Sequence, residues 1–239
     1  MLLIDGKIYE SQELPTIFFG PKLPLAYVLN PKAACTLALH FLFYANHKYR
    51  YFDVNRIHFS LKALNRLQGP ELDPRLLSAF YRLSPRRFSF VRNPLRRFVS
   101  AFQQKIFTDG DSHYLDIRDH LTSVDNIDLS PEANPAQSCL AFAKWIASQK
   151  DQMLIDLHFR PQHLNLQVGS RFTVDTVLRL EDRDAVFAFL SNWIGDEKAQ
   201  WFVSLKFNAE KYSFDEFVTD ELKQLIGEIY AEDYKLFYT

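Results

Sequence analysis

The run Phe88 to Ile106, FSFVRNPLRRFVSAFQQKI, joins a β-prone segment to a helical one across a single breaker, and few chain paths accommodate that junction. Phe88-Ser89-Phe90-Val91 is strand-like, Asn93-Pro94 stops it, and Leu95, Phe98, Val99, Phe102 and Ile106 then recur at helical spacing. Pro94 falls at the first helical position, where its missing N–H costs nothing, and Asn93 before it is a good N-cap. Arg92 stands at the C-terminal end of the strand, with Arg96, Arg97 and Ser100 on neighbouring faces of the helix. From Arg82 to Lys105 there are seven basic residues and no acidic one. A strand end, a helix N-terminus and guanidinium forks together suit a phosphate.

The same plan occurs earlier. Leu25 to Leu29 is an apolar run of strand length, Asn30-Pro31 stops it, and Thr36 to His47 is apolar nearly all round, as in a buried helix. Two strand-loop-helix units imply an α/β chain with a P-loop-like, three-layer fold: a central, mainly parallel sheet flanked by helices, with both loops at its carboxyl edge. The 239 residues are read as one domain, 1–239, with no internal repeat beyond this plan. The formal charge of −1 makes the basic block local, which argues against a nucleic-acid partner held by phosphate-backbone attraction. The balancing acid is late, with eight Asp or Glu against three Lys or Arg from Asn208 to Thr239. Two cysteines, Cys35 and Cys139, make no disulfide framework and are expected to be free thiols. No run approaches the roughly 20 apolar residues of a membrane helix, and the chain is expected to be soluble and unprocessed.

Elsewhere the patterning is plainer. Residues 1 to 24 read as turns with one edge strand, and helices are expected near Phe59 to Leu67 and Pro74 to Leu83. Thr108 to Asn134, rich in Asp, Ser and Asn, reads as a mobile surface loop. Pro135 to Ser148 reads as an amphipathic helix, Thr173 to Leu180 as a third strand, and Asp182 as the N-cap of a helix from Arg183 to Trp193. One or two amphipathic helices are expected from Asp215 onward.

The first loop, Asn30-Pro31-Lys32-Ala33-Ala34-Cys35-Thr36, has small residues that let backbone N–H groups turn inward, a hydroxyl at the helix start, and Lys32 as a point charge. Those are the parts of an anion cradle. It is not a Walker A loop, since no glycine lies between Gly20 and Gly69. Read singly, Lys32 is as well explained as an exposed lysine after a strand, Arg92 as a strand-end salt bridge, and Ser100 as a helix-surface serine.

Taken together, PKAACT after one strand and VRNPLRRFVSAF about 55 residues later resemble the paired nucleotide-binding motifs of PAPS-dependent sulfotransferases. The chain is most similar to the carbohydrate branch, typified by chondroitin, dermatan and HNK-1 sulfotransferases. His158-Phe159-Arg160-Pro161-Gln162 and the ending Tyr230, Asp233-Tyr234, Phe237 also resemble that branch. The resemblance implies that Lys32, Ala33, Ala34, Cys35 and Thr36 hold the 5′-phosphosulfate of PAPS and that Arg92 and Ser100 hold its 3′-phosphate. It implies PAP as the released product, no metal, a catalytic role for Lys32 beside the bridging oxygen, and a hydroxyl-bearing small molecule or glycan as acceptor. Ala33-Ala34-Cys35 replaces the glycine and serine often found in this loop, so backbone cradling is expected with fewer side-chain hydrogen bonds. Cys35 is read as a small spacer.

An attacking hydroxyl must lose a proton, so a base titrating near neutrality is expected. His158 is the first choice and His163 the second; His40, Glu181 and Asp156 are further candidates, and His113 and His120 are read as substrate contacts. Two other readings stay open: a non-catalytic, sulfotransferase-like nucleotide- or glycan-binding protein, and a nucleotide-dependent phosphotransferase. Eukaryotic relatives in this branch are Golgi type II membrane proteins. With neither anchor nor many cysteines, a bacterial cytoplasmic enzyme is the expectation here, or a Golgi-lumenal one if the sequence is a trimmed piece.

Overall fold

The computed structural model describes residues 2–4, 7–9, 15–48, 64–67, 73–108, 114–123, 126–130, 133–168, 174–205 and 212–239. Contacts divide the chain into two compact units, one of Met1–Val91 with Gln162–Phe207 and one of Arg92–Pro161 with Asn208–Thr239.

The first unit is built on a sheet. Strands β1 (Leu2–Ile4) and β2 (Lys7–Tyr9) pair antiparallel by themselves. Strands β3 (Ile17–Phe19), β4 (Leu25–Val28), β5 (Asn65–Leu67), β6 (Arg86–Val91) and β7 (Thr176–Arg179) form one sheet in the order β5-β3-β4-β6-β7. β4, β6 and β7 run parallel, and β3 and β5 add antiparallel strands beyond β4. The expected α/β class with a central, mainly parallel sheet is therefore what forms. β4 is buried along its whole length because it is paired on both sides and covered on both faces. Helix α1 (Cys35–His47) covers one face through Phe41, which meets Phe88 edge-on at 5.7 Å. Helices α7 (Arg183–Ile194) and α8 (Asp196–Ser204) join it there through Phe189 and Phe202. On the opposite face Phe80 of α2 (Pro74–Leu83) packs on Phe19 at 5.4 Å. The register of the last strand is pinned by Arg87, whose guanidinium takes both carboxylate oxygens of Asp175 at 3.1 and 3.2 Å.

Three expectations change in this unit. β3 lies inside the sheet instead of at its edge, because β5 pairs on its far side. Asn65–Leu67 is that strand and not the end of a helix; residues 59–63 of the expected helix lie outside the described residues. The alternative to helix here is a ladder hydrogen-bonded along β3, a long-range partner that local pattern does not show. Helix α8 was not anticipated; a single glycine, Gly195, at φ 80 separates it from α7.

Gly20 illustrates a close approach. A Cβ there would stand 2.0 Å from the buried amide of Asn46, which accepts from Lys22 N and Leu23 N at 3.2 Å and donates to Leu42 O at 2.9 Å. Gly20→Ala is expected to cost about 3 kcal/mol by displacing that amide, read as a lower urea midpoint at unchanged slope.

The second unit is helical. It comprises α3 (Pro94–Phe102), α4 (Leu115–Ser123), α5 (Pro135–Ser148), a 3₁₀ turn (Phe214–Phe217), α9 (Asp220–Ile229) and α10 (Ala231–Phe237). Phe98, Phe102, Phe142, Phe159, Phe217 and Tyr230 form its core. Each such ring contributes about 2–3 kcal/mol by leaving water. Asn93 caps α3 as expected, accepting from Arg96 N at 3.2 Å, with Pro94 in the first turn. The helix does not continue regularly to Ile106: Gln103–Phe107 widen into a π turn closed by Thr108 N donating to Gln103 O at 3.0 Å. The expected mobile loop after it contains α4, anchored by buried Tyr114 and Leu121, with Ile127, Leu129 and Ala133 also buried. Its polar residues face outward, so few apolar positions carry the signal.

Candidate active site

The first loop is held from beneath. Asn30, fully buried, donates from Nδ2 to Phe90 O and to Gln162 Oε1, each at 2.9 Å, and its Oδ1 accepts from Asn165 Nδ2 at 3.4 Å. Gln162 and Asn165 lie on the short helix α6 (Gln162–Asn165). The carbonyl of Asn30 accepts from Ala33 N at 3.3 Å and from the Cys35 thiol at 3.1 Å. The Tyr27 hydroxyl, under the loop, accepts from Asn30 N at 3.4 Å; burial, with Cys35 next to it, pushes that phenol well above its ordinary value. A buried asparagine with all three functions paired fixes the loop against two neighbouring segments.

The loop backbone is left-handed at Lys32 (φ 65) and again at Ala34 (φ 59), the latter serving as N-cap of α1 without a side-chain hydrogen bond. A non-glycine residue in that region costs on the order of 1–2 kcal/mol, so two within three positions mark a conformation imposed by the surroundings. Turns of this kind gather backbone N–H groups into a concavity suited to an anion, and they open here directly onto a helix N-terminus with no acidic residue in its first turn. Ala33 is fully buried, while Lys32, Ala34, Cys35 and Thr36 keep part of their surface exposed. Small side chains at 33 to 35 leave such a concavity open, which fits a phosphosulfate. Both cysteines are free; burial pushes the Cys139 thiol far up and leaves it inert.

In the second unit, Arg92 and Asn93 are half-buried at the start of α3. Ser100 is 9% exposed, and its hydroxyl makes no hydrogen bond to a described residue. A nearly buried hydroxyl with spare donor and acceptor capacity fits a phosphate oxygen. Arg96 and Arg97, by contrast, are committed to the structure. Arg96 lies over the Phe214 ring at 4.7 Å. Arg97, 1% exposed, donates from Nη1 to Arg160 O at 2.9 Å and from Nη2 to Leu157 O at 2.8 Å. With Arg86 bonded to Thr176 Oγ1 at 3.2 Å and Arg87 on Asp175, four of the seven basic residues brace the fold.

The segment that Arg97 grips is the His158 loop. It has no ladder of its own, so side chains satisfy its carbonyls. Besides Arg97, the Tyr230 hydroxyl donates to Phe159 O at 2.5 Å, and Arg160 Nε donates to Ile155 O at 3.1 Å. Phe159 is inserted into the core against Phe142 at 4.8 Å. Tyr234 completes the brace beside the Asn93 side chain and the Leu95 backbone. The tyrosines of the C-terminal ending therefore steady both the loop and the cap of α3.

His158 sits in the middle of this clamp. Its Nδ1 is 2.8 Å from Asp156 Oδ1 and 2.8 Å from the Tyr114 hydroxyl, which itself donates to Asp156 Oδ1 at 2.8 Å. The same carboxylate oxygen accepts from His158 N at 2.9 Å. A carboxylate on Nδ1 selects the tautomer protonated there and leaves Nε2 with its lone pair. Burial would raise the Asp156 carboxyl, but the hydrogen bonds and charge of His158 and the Tyr114 hydroxyl bring it down to about 2. Burial is also the largest influence on His158 and lowers it, with Lys105 and Arg97 acting the same way against the upward pull of Asp156. A neutral imidazole oriented by an ionised carboxylate is equipped to accept a proton.

The other titratable candidates are placed differently. His40 is buried on α1, His163 is half-buried on α6, His120 is exposed on α4, and Glu181 is exposed after β7. His113 lies outside the described residues. Among the described residues, no group of three or more His, Cys, Asp or Glu side chains could hold a metal, and no helix is long and apolar enough to cross a membrane. Sequence reasoning did not single out Asn30, Gln162 or Tyr114. For Asn30 and Gln162 the available signal was an amide next to proline in each motif; for Tyr114 there was none.

The first unit thus carries an anion-ready loop at the end of a parallel strand, and the second carries a histidine oriented by a carboxylate. The sequence profile of the Sulfotransferase family matches residues 15–239, so the chain belongs to that family and is a sulfotransferase by descent. No curated protein and no solved structure matches it in the corresponding searches.

Proposed function

We propose that the protein transfers a sulfuryl group from PAPS to a hydroxyl acceptor, a carbohydrate, with His158 as general base. The observation that carries this reading is the Asp156–His158–Tyr114 cluster in a chain whose family transfers sulfuryl groups. PAPS supplies an activated sulfuryl group on a good leaving group. Backbone N–H groups of Lys32 to Thr36 hold the phosphosulfate, and the Arg92 fork and Ser100 hydroxyl hold the 3′-phosphate. His158 Nε2 takes the acceptor proton as the new oxygen–sulfur bond forms. Lys32 meets the negative charge that develops on the bridging oxygen as the old sulfur–oxygen bond breaks, an interaction stronger in the transition state than before it. The carbohydrate acceptor rests on the resemblance of VRNPLRRFVSAF and HFRPQ to the carbohydrate branch.

Transfer of label from PAPS to a panel of glycans and simple alcohols tests the proposal directly. Labelled glycan supports it; PAP binding without transfer to any acceptor would leave a binding protein instead. The cofactor assignment has its own test. Arg92→Ala is expected to weaken PAP about 10- to 100-fold and AMP hardly at all, since the lost fork serves only the 3′-phosphate. Equal weakening of both nucleotides, measured by calorimetry, would remove Arg92 from that role.

A further inference from the structure

The His158 cluster contains more than a base and its carboxylate. Tyr114 is 5% exposed and immediately precedes α4, about 40 residues from the 156–160 loop, so no local sequence pattern ties the two together. Its hydroxyl nevertheless lies 2.8 Å from both Asp156 Oδ1 and His158 Nδ1. Because the carboxylate is acceptor-only, the phenolic hydrogen is committed to Asp156, and the phenolic oxygen is turned toward Nδ1–H. The π turn Gln103–Phe107 then presents Lys105, whose Nζ stands 5.4 Å from the centroid of the Tyr114 ring. An α-helical continuation would rotate residue 105 away from the position that the extra residue per turn gives it.

Resting on the reading of His158 as the base, we propose that Tyr114 is a positioning residue that locks the His158 ring with Nδ1 protonated and Nε2 free for the acceptor hydroxyl, and that Lys105, set by the π turn, keeps the imidazole neutral. Among the described residues, the charged and titratable groups that act on the ring are Asp156 from its own loop, Tyr114 from just before α4, Lys105 from the π turn and Arg97 from α3. Of these, Asp156 favours the cation. Tyr114 draws part of that carboxylate's charge into its own hydrogen bond, and the two basic groups oppose protonation directly. The device favours the neutral base, with a midpoint below that of an ordinary histidine.

The test is a pH titration of the histidine ring nitrogens by long-range proton–nitrogen correlation in the full-length, nitrogen-15-labelled protein, with the His158 signal assigned by its loss in His158→Gln. Wild-type His158 is expected as the Nδ1-protonated tautomer with a midpoint below that of an ordinary histidine. In Tyr114→Phe the midpoint moves up. kcat/KM measured about one pH unit below that midpoint then falls about tenfold relative to its own plateau, while the KM for PAPS is unchanged. Lys105→Met moves the midpoint in the same direction, and Lys105→Arg restores it.

An unmoved midpoint in Tyr114→Phe, with stability alone reduced, overturns the role of Tyr114. An unmoved midpoint in Lys105→Met overturns that of Lys105. A midpoint that rises without the acid limb of kcat/KM following it upholds both positioning roles and removes His158 as the base, so the two readings fail separately.

Discussion

His158→Ala will leave PAP binding nearly intact and lower turnover by about two orders of magnitude or more, the contribution expected of a positioned general base. Substitutions of its carboxylate partner then separate charge from geometry. One oxygen, Asp156 Oδ1, accepts from Tyr114, from His158 N and at His158 Nδ1. An asparagine carbonyl can accept the same three hydrogens, so Asp156→Asn keeps the ring orientation and loses only the negative charge. Its kcat is expected to fall about 10- to 100-fold, because the imidazolium formed during transfer is no longer stabilised by a carboxylate. Asp156→Ala loses charge and geometry together and approaches His158→Ala. Single-turnover rates with labelled PAPS measure the series, and unchanged turnover in His158→Ala would reassign the base.

The second large effect is on stability. Arg97 is buried, and its two terminal nitrogens satisfy the carbonyls on either side of His158, those of Leu157 and Arg160. Arg97→Met fills much of the same volume but leaves both carbonyls without those donors. At about 1–3 kcal/mol for each stranded buried acceptor, a loss of about 3–5 kcal/mol is expected, comparable to breaking a buried charge network. The denaturant midpoint reads this. Arg96→Met, which removes only a guanidinium stacked on Phe214, is the control and costs about 1 kcal/mol or less. Similar losses in the two variants would mean that Arg97 does not hold the loop.

How much of this was legible beforehand follows from which interactions are local. The strand-loop-helix junctions at Asn30-Pro31 and Asn93-Pro94 were readable because breaker, cap and apolar period lie within a few residues of one another, and the parallel strands followed from repeating that plan. β5 was misread because its only reason to be extended is a partner some 50 residues away in β3. The basic block was readable as charge but not as roles: Arg86, Arg87, Arg96 and Arg97 are assigned to Thr176, Asp175, Phe214 and two loop carbonyls, none of them nearby in sequence. Tyr114 lay in a stretch whose polarity suggested a loop, and only the folded chain brings its hydroxyl to His158.

The hydrogen bonds of Asn30 also bear on how the chain assembles during synthesis. They join Phe90, just before the chain leaves the sheet unit, to Gln162, where it returns. β7 emerges roughly 90 residues after β6, so at 5–20 residues per second the outer edge of β6 waits on the order of 4 to 18 seconds for its partner. During that interval Phe88 and Phe90 sit on a strand paired only on its β4 side, in a sheet lacking its last member and the helices α7 and α8 that follow. The nascent chain is most exposed to mispairing in this window, and the Asn30 clasp can close only once the whole excursion has been made.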